Sequence, residues 1–172
     1  MAPDDLAAEN SDGVTIVCED RQTDARIDTD RWVALARAAL VHEGAQRPLE
    51  MGLLFVPSNE IAELKAEHLD GDGGATDVLA FPIDDFDAGP AGLAVTDGPP
   101  SLIGDVVICP AVAAKAVNTG RGLDDELALL VVHGVLHLLG HDHAEADEKA
   151  LMQSRERELL AAYTEAGHHG DW

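Results

Sequence analysis

The stretch HGVLHLLGHDH, residues 133 to 143, constrains the fold and chemistry of this chain more than any other segment. It places four histidines and an aspartate directly after an apolar run whose pattern predicts a buried helix. Helix side chains four positions apart project from one face about 6 Å apart, so His133 and His137 can ligate one ion. Gly140 predicts the helix end, because glycine readily adopts the left-handed conformation. The chain can then turn back and bring His143 to the same ion.

Three imidazoles with an open fourth position are typical of a catalytic zinc site. We therefore predict that His133, His137 and His143 bind one zinc ion per chain. His141 is the second choice for the third ligand, since it comes early in the turn and leaves little chain for the return. Zinc proteases with the same histidine spacing carry a glutamate general base beside the first histidine, where this chain has Gly134, which argues against a protease.

The remaining sequence predicts an α+β fold, in which a small mixed four-stranded sheet packs with about five helices and the metal site lies on a central helix. Strands are predicted at 14–18, 51–56, 77–82 and 102–110, and helices at 28–44 (or 30–44), 59–69, 110–118, 124–139 and 145–166. We expect Asp28 or Asp30 to cap the first helix and Ser58 to cap the second. The apolar side of the last helix is predicted to carry Leu151, Met152, Leu159 and Leu160.

The length of 172 residues favours one domain, which we assign to residues 13–163. Residues 1–12 are predicted to be a disordered leader and 164–172 a flexible tail. Residues 84–100 are rich in Asp, Gly and Pro, which predicts a surface excursion within the domain.

The charge and apolar content of the chain limit its classes of partner. A formal net charge of -22 argues against general nucleic-acid binding, because phosphate contacts need Lys and Arg. The N-terminus is acidic and polar, unlike a secretory signal, and no window is apolar enough for a membrane span. We therefore expect a cytoplasmic protein without membrane contact. Cys18 and Cys109 lie far apart in apolar runs, which predicts buried reduced thiols.

Residues 133–143 resemble the signature of the YbeY family of bacterial metal-dependent endoribonucleases. That signature reads H-G-x-L-H-L-x-G-y-D-H, with y variable, and the chain matches every specified position. TDVLAFP at 76–82 is similar to the family's TDVLSFP, and LIGDVVIC at 102–109 is similar to its LGDIxIS strand. The final helix also begins as the family's does, so the resemblance spans roughly residues 14 to 163.

The resemblance implies a zinc-dependent single-strand endoribonuclease that acts in rRNA maturation, at the small-subunit rRNA, and in ribosome quality control. It implies that His133, His137 and His143 hold zinc and that Gly134 and Gly140 are structural. The implied partners are rRNA or the small ribosomal subunit, together with a ribosomal protein and an assembly GTPase. The oligomeric state stays open.

Asp142 matches the aspartate of the signature and is our candidate catalytic residue. Its carboxylate can orient a ligand imidazole or hold the attacking water, and a cap at the helix end is the alternative. Thr76 and Asp77 also match family positions, where structural capping and a part in the site are both open. Proton transfer is open too, between Asp142, the metal site itself and the RNA 2'-hydroxyl.

Two departures from the family concern RNA binding. The family usually has an arginine, implied to contact RNA, in the helix before TDVLSFP. Counting back from Asp70, the matching position is Glu67, near Lys65 and His68, and Ala80 replaces the usual serine. Other cations that could line an RNA cleft are Arg21, Arg26, Arg121 and Lys115.

A non-catalytic ribosome assembly factor, in which zinc only fixes the fold, is the alternative function. A structural zinc site normally has four protein ligands, so a fourth ligand such as His141 favours this scaffold. A coordination position open to water favours the enzyme.

Overall fold

The computed structural model describes residues 13–45, 48–69, 74–83, 98–117 and 122–165. Within them the strands are β1 (Val14–Asp20), β2 (Leu49–Phe55), β3 (Val78–Pro82) and β4 (Ser101–Ile108). The helices are α1 (Thr29–His42), α2 (Ser58–His68), α3 (Pro110–Lys115), α4 (Leu123–Leu138) and α5 (Ala146–Glu165). No helix in these ranges is long and apolar enough to cross a membrane.

Several predicted features lie outside the described residues. They are the leader at 1–12, residues 84–97 of the surface excursion, Asp70, Arg121 and the tail from residue 166. Helix α5 extends to Glu165, past the predicted end of the domain at residue 163.

The four strands form one mixed sheet in the order β1-β2-β4-β3. β1 pairs with β2 and β2 with β4 in parallel, whereas β3 is antiparallel to β4. Parallel neighbours need a crossover, and α1 supplies it between β1 and β2. The α+β prediction of a mixed four-stranded sheet with five helices is confirmed.

Helices cover both faces of the sheet. Successive side chains of a strand point to opposite faces, so each strand contributes to both cores. On β4, Val106 joins a large core with α1, α4 and α5, and its neighbour Val107 joins a smaller core with Ile61 of α2 on the other face. Helix α4 contacts β3, β4, α1, α3 and α5, so it is the central helix that the sequence predicts. The histidine segment therefore begins on the central helix of the domain.

Of the two predicted helix caps, one is confirmed and the other is wrong. Asp28, rather than Asp30, caps α1, since its Oδ1 accepts a hydrogen bond from the Arg31 N–H at 3.3 Å. The predicted Ser58 cap of α2 is wrong. The extended residue before α2 is Pro57, so Ser58 is already helical, and its hydroxyl lies 3.7 Å from Cys109 Sγ instead.

The buried stripe of α5 also differs from the prediction. Leu151 is 58% exposed, whereas Met152, Glu156, Leu159 and Tyr163 are buried. Their spacing of four, three and four positions follows one helix face, so the stripe includes a glutamate at a position where a core residue is expected.

Both cysteines are free thiols. Cys109 is buried as predicted, and Cys18 is only partly buried. Burial, and then the carboxylates of Asp20, Asp30 and Glu19, raise the pKa of Cys18 to about 11, which keeps this thiol protonated near neutral pH.

Candidate metal centre

Helix α4 brings the first two predicted ligands out of the core. Its first turn carries three acidic residues, which suit the positive end of the helix, and Asp125 Oδ2 accepts a hydrogen bond from the Gly122 N–H at 3.2 Å. The middle of the helix is buried except for the side that bears His133 and His137, which are half-buried. The two imidazoles are therefore held by a helix whose other sides are packed.

Helix α4 comes close to the sheet at Gly134. A Cβ at this position would lie 2.4 Å from Val106 Cγ1 of β4. The helix can approach the strand this closely only because residue 134 has no side chain. A glutamate here, as in the zinc proteases, would run into β4, which gives a steric reason against the protease.

Gly140 ends the helix with a Schellman motif. Its φ is +89°, its N–H donates to the His137 carbonyl at 3.0 Å, and the His141 N–H donates to the Leu136 carbonyl at 3.0 Å. The predicted helix end is confirmed. The motif reverses the chain direction, so that His143 comes back over the last turn of α4.

The three predicted ligands converge. One ligand atom from each of His133, His137 and His143 lies within 4.8 Å of the others. The Nε2 atoms of His133 and His137 are 3.1 Å apart, and the His143 ring centroid lies 5.0 Å from that of His137. Two nitrogens bound to a tetrahedral zinc at 2.0–2.1 Å are about 3.3 Å apart, so the donor set fits zinc.

His141, the second choice for the third ligand, does not join this group. Its Nε2 lies 4.0 Å from Glu43 Oε2, and Glu43 Oε1 accepts a hydrogen bond from Arg155 Nη2 at 2.5 Å. The ring is thus directed to a carboxylate at the end of α1. Among the described residues, the group that can hold a metal contains three protein ligands.

The environment of His137 favours the form of imidazole that binds metals. Burial, and then the proximity of His133 and His143, lower the pKa of His137 from its ordinary value. Asp142 and a hydrogen bond with the His141 backbone act in the opposite direction but are smaller. A lowered pKa keeps the ring neutral, as metal binding requires.

Sequence reasoning missed Glu156, which contacts the first ligand. The His133 Nδ1 atom lies 2.6 Å from Glu156 Oε1, across from α4 to α5. Glu156 is 8% exposed. Its place in the buried stripe of α5 is the signal that could have found it.

A cavity of about 590 Å³ opens in front of the histidines. Thr76, Asp77 and Ala80 line it on the β3 side, and Asp142 lines it on the turn side. Asp142 is exposed, and its Oδ1 accepts a hydrogen bond from the His143 N–H at 2.7 Å. The carboxylate therefore shapes the turn and also faces the space in which a substrate would lie.

The predicted cations among the described residues lie outside this cavity. Among the described residues that line the large cavity there is no Lys or Arg. Arg21 pairs with Glu19 and Glu60, Arg26 lines a separate cavity near α1, and Lys115 is exposed on α3. Glu67, at the position of the family arginine, is exposed on α2 and lies 3.9 Å from His68 Nε2.

Lys149 is a cation near the histidines that sequence reasoning did not consider. It lines a second cavity of about 270 Å³, which shares Asp77, His133 and His143 with the large one. Met152 and Gln153 of α5 complete one wall. His133 and His143 therefore lie between two cavities, and His137 lines only the large one.

Comparison with known proteins identifies the sequence relatives. The family model described as Endoribonuclease YbeY matches residues 17–164. A relative from Salinispora tropica named endoribonuclease YbeY is 47% identical over 145 residues, covering 83% of this chain and 92% of the relative. One from Acidothermus cellulolyticus with the same name is 42% identical over 139 residues, covering 80% and 84%. A solution structure from Thermotoga maritima, 21% identical, has the same fold with a TM-score of 0.52, over 91% of this chain and 97% of that one.

Proposed function

Since the chain belongs to the YbeY family of endoribonucleases, we propose that it is a zinc-dependent enzyme that cuts single-stranded RNA during small-subunit rRNA maturation and ribosome quality control. The observation that carries the proposal is the convergence of three histidine nitrogens within 4.8 Å beside an open cavity.

The donor set supports zinc as the metal. Neutral imidazoles are suited to zinc among the common cellular ions, and three protein ligands leave a position for a substrate atom or water. When bound, zinc would supply Lewis acidity toward a phosphoryl group. His133, His137 and His143 would hold it, and the cavity beyond them would admit the RNA backbone.

Asp142 is the residue to which we assign proton transfer. Its Oδ1 is engaged by the His143 N–H, so the acceptor for a proton is Oδ2. The nucleophile is either a water molecule or the 2'-hydroxyl of the RNA, and each loses a proton on attack that Oδ2 can accept. A substrate with one 2'-deoxy nucleotide at the cleavage site separates the two, because attack by the 2'-hydroxyl requires that group and leaves a cyclic phosphate.

The net charge of -22 requires a local source of attraction for phosphate. The carboxylates of Asp77 and Asp142 line the large cavity and repel an anion. A bound divalent ion offsets them, and Lys149 supplies a cation in the adjoining cavity. We infer that few phosphates are contacted by Lys or Arg, so cleavage should depend weakly on salt compared with basic nucleases.

The setting of the reaction follows from the same proposal. The partners would be rRNA or the small ribosomal subunit, with a ribosomal protein and an assembly GTPase, in the cytoplasm. The two free cysteines support a reducing compartment.

The alternative, a non-catalytic assembly factor, requires a closed metal site. A structural zinc normally has four protein ligands, and His141, the candidate for the fourth, is directed to Glu43. This arrangement supports the enzyme.

Metal content and RNA cleavage, measured on the same untagged protein, test the proposal. We expect about one zinc per chain by mass spectrometry and cleavage of a single-stranded rRNA fragment that a chelator abolishes and zinc restores. His137→Ala should lose both, and His42→Ala, which removes an exposed histidine at the end of α1, should lose neither. Zinc binding without cleavage would favour the assembly factor, and absence of zinc would contradict both functions.

A further inference from the structure

Glu156 is a charged side chain in a place where charge is costly. The buried polar or charged residues among those described are Gln22 and Glu156. Removing a carboxylate from water costs several kcal/mol unless a partner compensates it. The partner of Glu156 is the His133 ring, at 2.6 Å.

The docking of α5 does not need this carboxylate. Met152, Leu159 and Tyr163 bury the same helix face. Two polar links also hold α5 to α1, one from Arg155 to Glu43 and one from the Tyr163 hydroxyl to the Arg31 carbonyl at 3.4 Å. An apolar residue at position 156 would complete the stripe at lower cost, because replacing buried charges by apolar groups is often neutral or stabilising.

The contact specifies the state of His133. A carboxylate accepts a hydrogen bond, so Nδ1 carries the proton and Nε2 keeps its lone pair. Nε2 is the atom that lies 3.1 Å from His137 Nε2, on the side where the ligand atoms converge. Glu156 thus contacts Nδ1 of the ring and thereby leaves Nε2 unprotonated and able to bind a metal.

We propose that Glu156 is a positioning residue, which fixes the tautomer and orientation of His133 so that Nε2 is ready for the metal. This inference rests on the proposed metal site but not on RNA cleavage. Carboxylate partners of metal-bound histidines orient the ring and raise the basicity of the ligand atom. Glu156 therefore serves to increase metal affinity, although burying its carboxylate is unfavourable for the stability of the fold.

The test compares two substitutions at position 156 with a matched control on the same helix. Glu156→Leu supplies an apolar side chain for the stripe, and Glu156→Gln keeps an acceptor oxygen without the charge. Glu158→Gln is the control, because Glu158 is exposed and pairs with Arg155 at 2.6 Å. The readouts are the zinc dissociation constant by chelator competition, the unfolding midpoint of the metal-free protein, and the His133 tautomer by ring-nitrogen NMR.

We expect Glu156→Leu to weaken zinc binding by about 10- to 100-fold, the range typical of outer-shell partners. Its metal-free form should unfold at the same or higher denaturant concentration than the wild type. Glu156→Gln should weaken binding less, and Glu158→Gln should change it by less than about twofold, as a surface pair contributes little. In the metal-free wild type, the His133 proton should be on Nδ1, and in Glu156→Leu it should no longer be confined there.

Two results would overturn the inference. One is an unchanged zinc dissociation constant in Glu156→Leu together with reduced stability, which would make Glu156 a structural link only. The other is a wild-type His133 with its proton on Nε2, a measurement that needs no variant to fold. Zinc binding that weakens as expected in a protein that cuts no RNA would retain the inference and reject the nuclease.

Discussion

The metal centre joins two regions of different character, the end of α4 and the turn that follows it. His133 and His137 are half-buried on a packed helix, and Glu156 Oε1 lies 2.6 Å from Nδ1 of the His133 ring. His143 is exposed, on a turn shaped by Gly140 and Asp142. Two ligands are thus fixed by the core before metal binds, and the third comes from the surface.

The two ligands on α4 provide a rigid part of the site, and the ligand on the turn leaves the site accessible to substrate. A pair of ligands on a packed helix would keep its geometry when a metal binds, whereas a ligand on an exposed turn would leave one side of the ion open to RNA. Substitution of a ligand in α4 should therefore affect fold and metal together, whereas substitution of His143 in the turn should affect the metal with little change in the fold.

The largest effect should come from the ligands themselves. We expect His137→Ala and His143→Ala each to weaken zinc binding by more than about 100-fold, beyond the loss typical of outer-shell partners. The loss should be smaller for His143→Ala, because solvent reaches that position and water can replace the ring. Chelator competition measures both, and His143→Ala with wild-type affinity would remove the turn from the site.

Gly134→Ala should have the next largest effect, on stability. The added methyl group would lie 2.4 Å from Val106 Cγ1, so α4 must move off β4. Overpacking of this kind costs about 1–3 kcal/mol, measurable by urea unfolding of the metal-free protein. Val106→Ala in the same chain should recover part of the loss, and a fully additive double variant would contradict the close approach.

Gly140→Ala tests the turn by backbone strain alone. The φ of +89° costs a residue with a Cβ about 1–2 kcal/mol, and apart from the chain neighbours no atom of the described residues lies within 4 Å of the added Cβ. No neighbouring substitution should therefore rescue it, whereas Gly140→Asn should be better tolerated, since asparagine enters the left-handed region more readily. Equal losses for alanine and asparagine would show that strain is not the cause.

Asp142→Asn should have the smallest structural effect. Asparagine keeps an oxygen that can accept the His143 N–H, so we expect zinc affinity to change by less than about threefold and stability by less than about 0.5 kcal/mol. RNA cleavage should fall much further, by about 100-fold, the lower range for loss of a general base. Cleavage at the wild-type rate would assign proton transfer to another group.

The same contrast explains what could be read from the sequence. The three ligands and Gly140 lie within eleven consecutive positions, 133 to 143, so helix geometry and one turn were enough to bring them together. Glu156 lies 23 positions from His133 on another helix, and only packing of α5 against α4 brings it to the ring. A strand was predicted at 51–56, where β2 lies at Leu49–Phe55, but the strand order β1-β2-β4-β3 depends on pairing between distant segments.

The cations show the same limit. The sequence analysis considered Arg21 a cation that could line an RNA cleft. In the fold it pairs instead with Glu19 and Glu60. Lys149 follows residues 133–143 by only a few positions, and no sequence pattern marked it as a residue near the site. Its place at the start of α5 brings it to the cavity that His143 also lines. Whether a basic residue can attract RNA to the site therefore depends on the partners and the position that the tertiary structure gives it.

The contact between Glu156 and His133 has a consequence for the order in which the domain assembles. It closes a loop of 23 positions, whereas the link from Arg155 to Glu43, on the same helix, closes one of 112. Loop-closure entropy grows with the logarithm of length, so the shorter link costs about 1.4 kcal/mol less. The helical hairpin that bears the ligands can thus close early on the folding pathway, and zinc binding at that stage would stabilise a nucleus on which the sheet condenses.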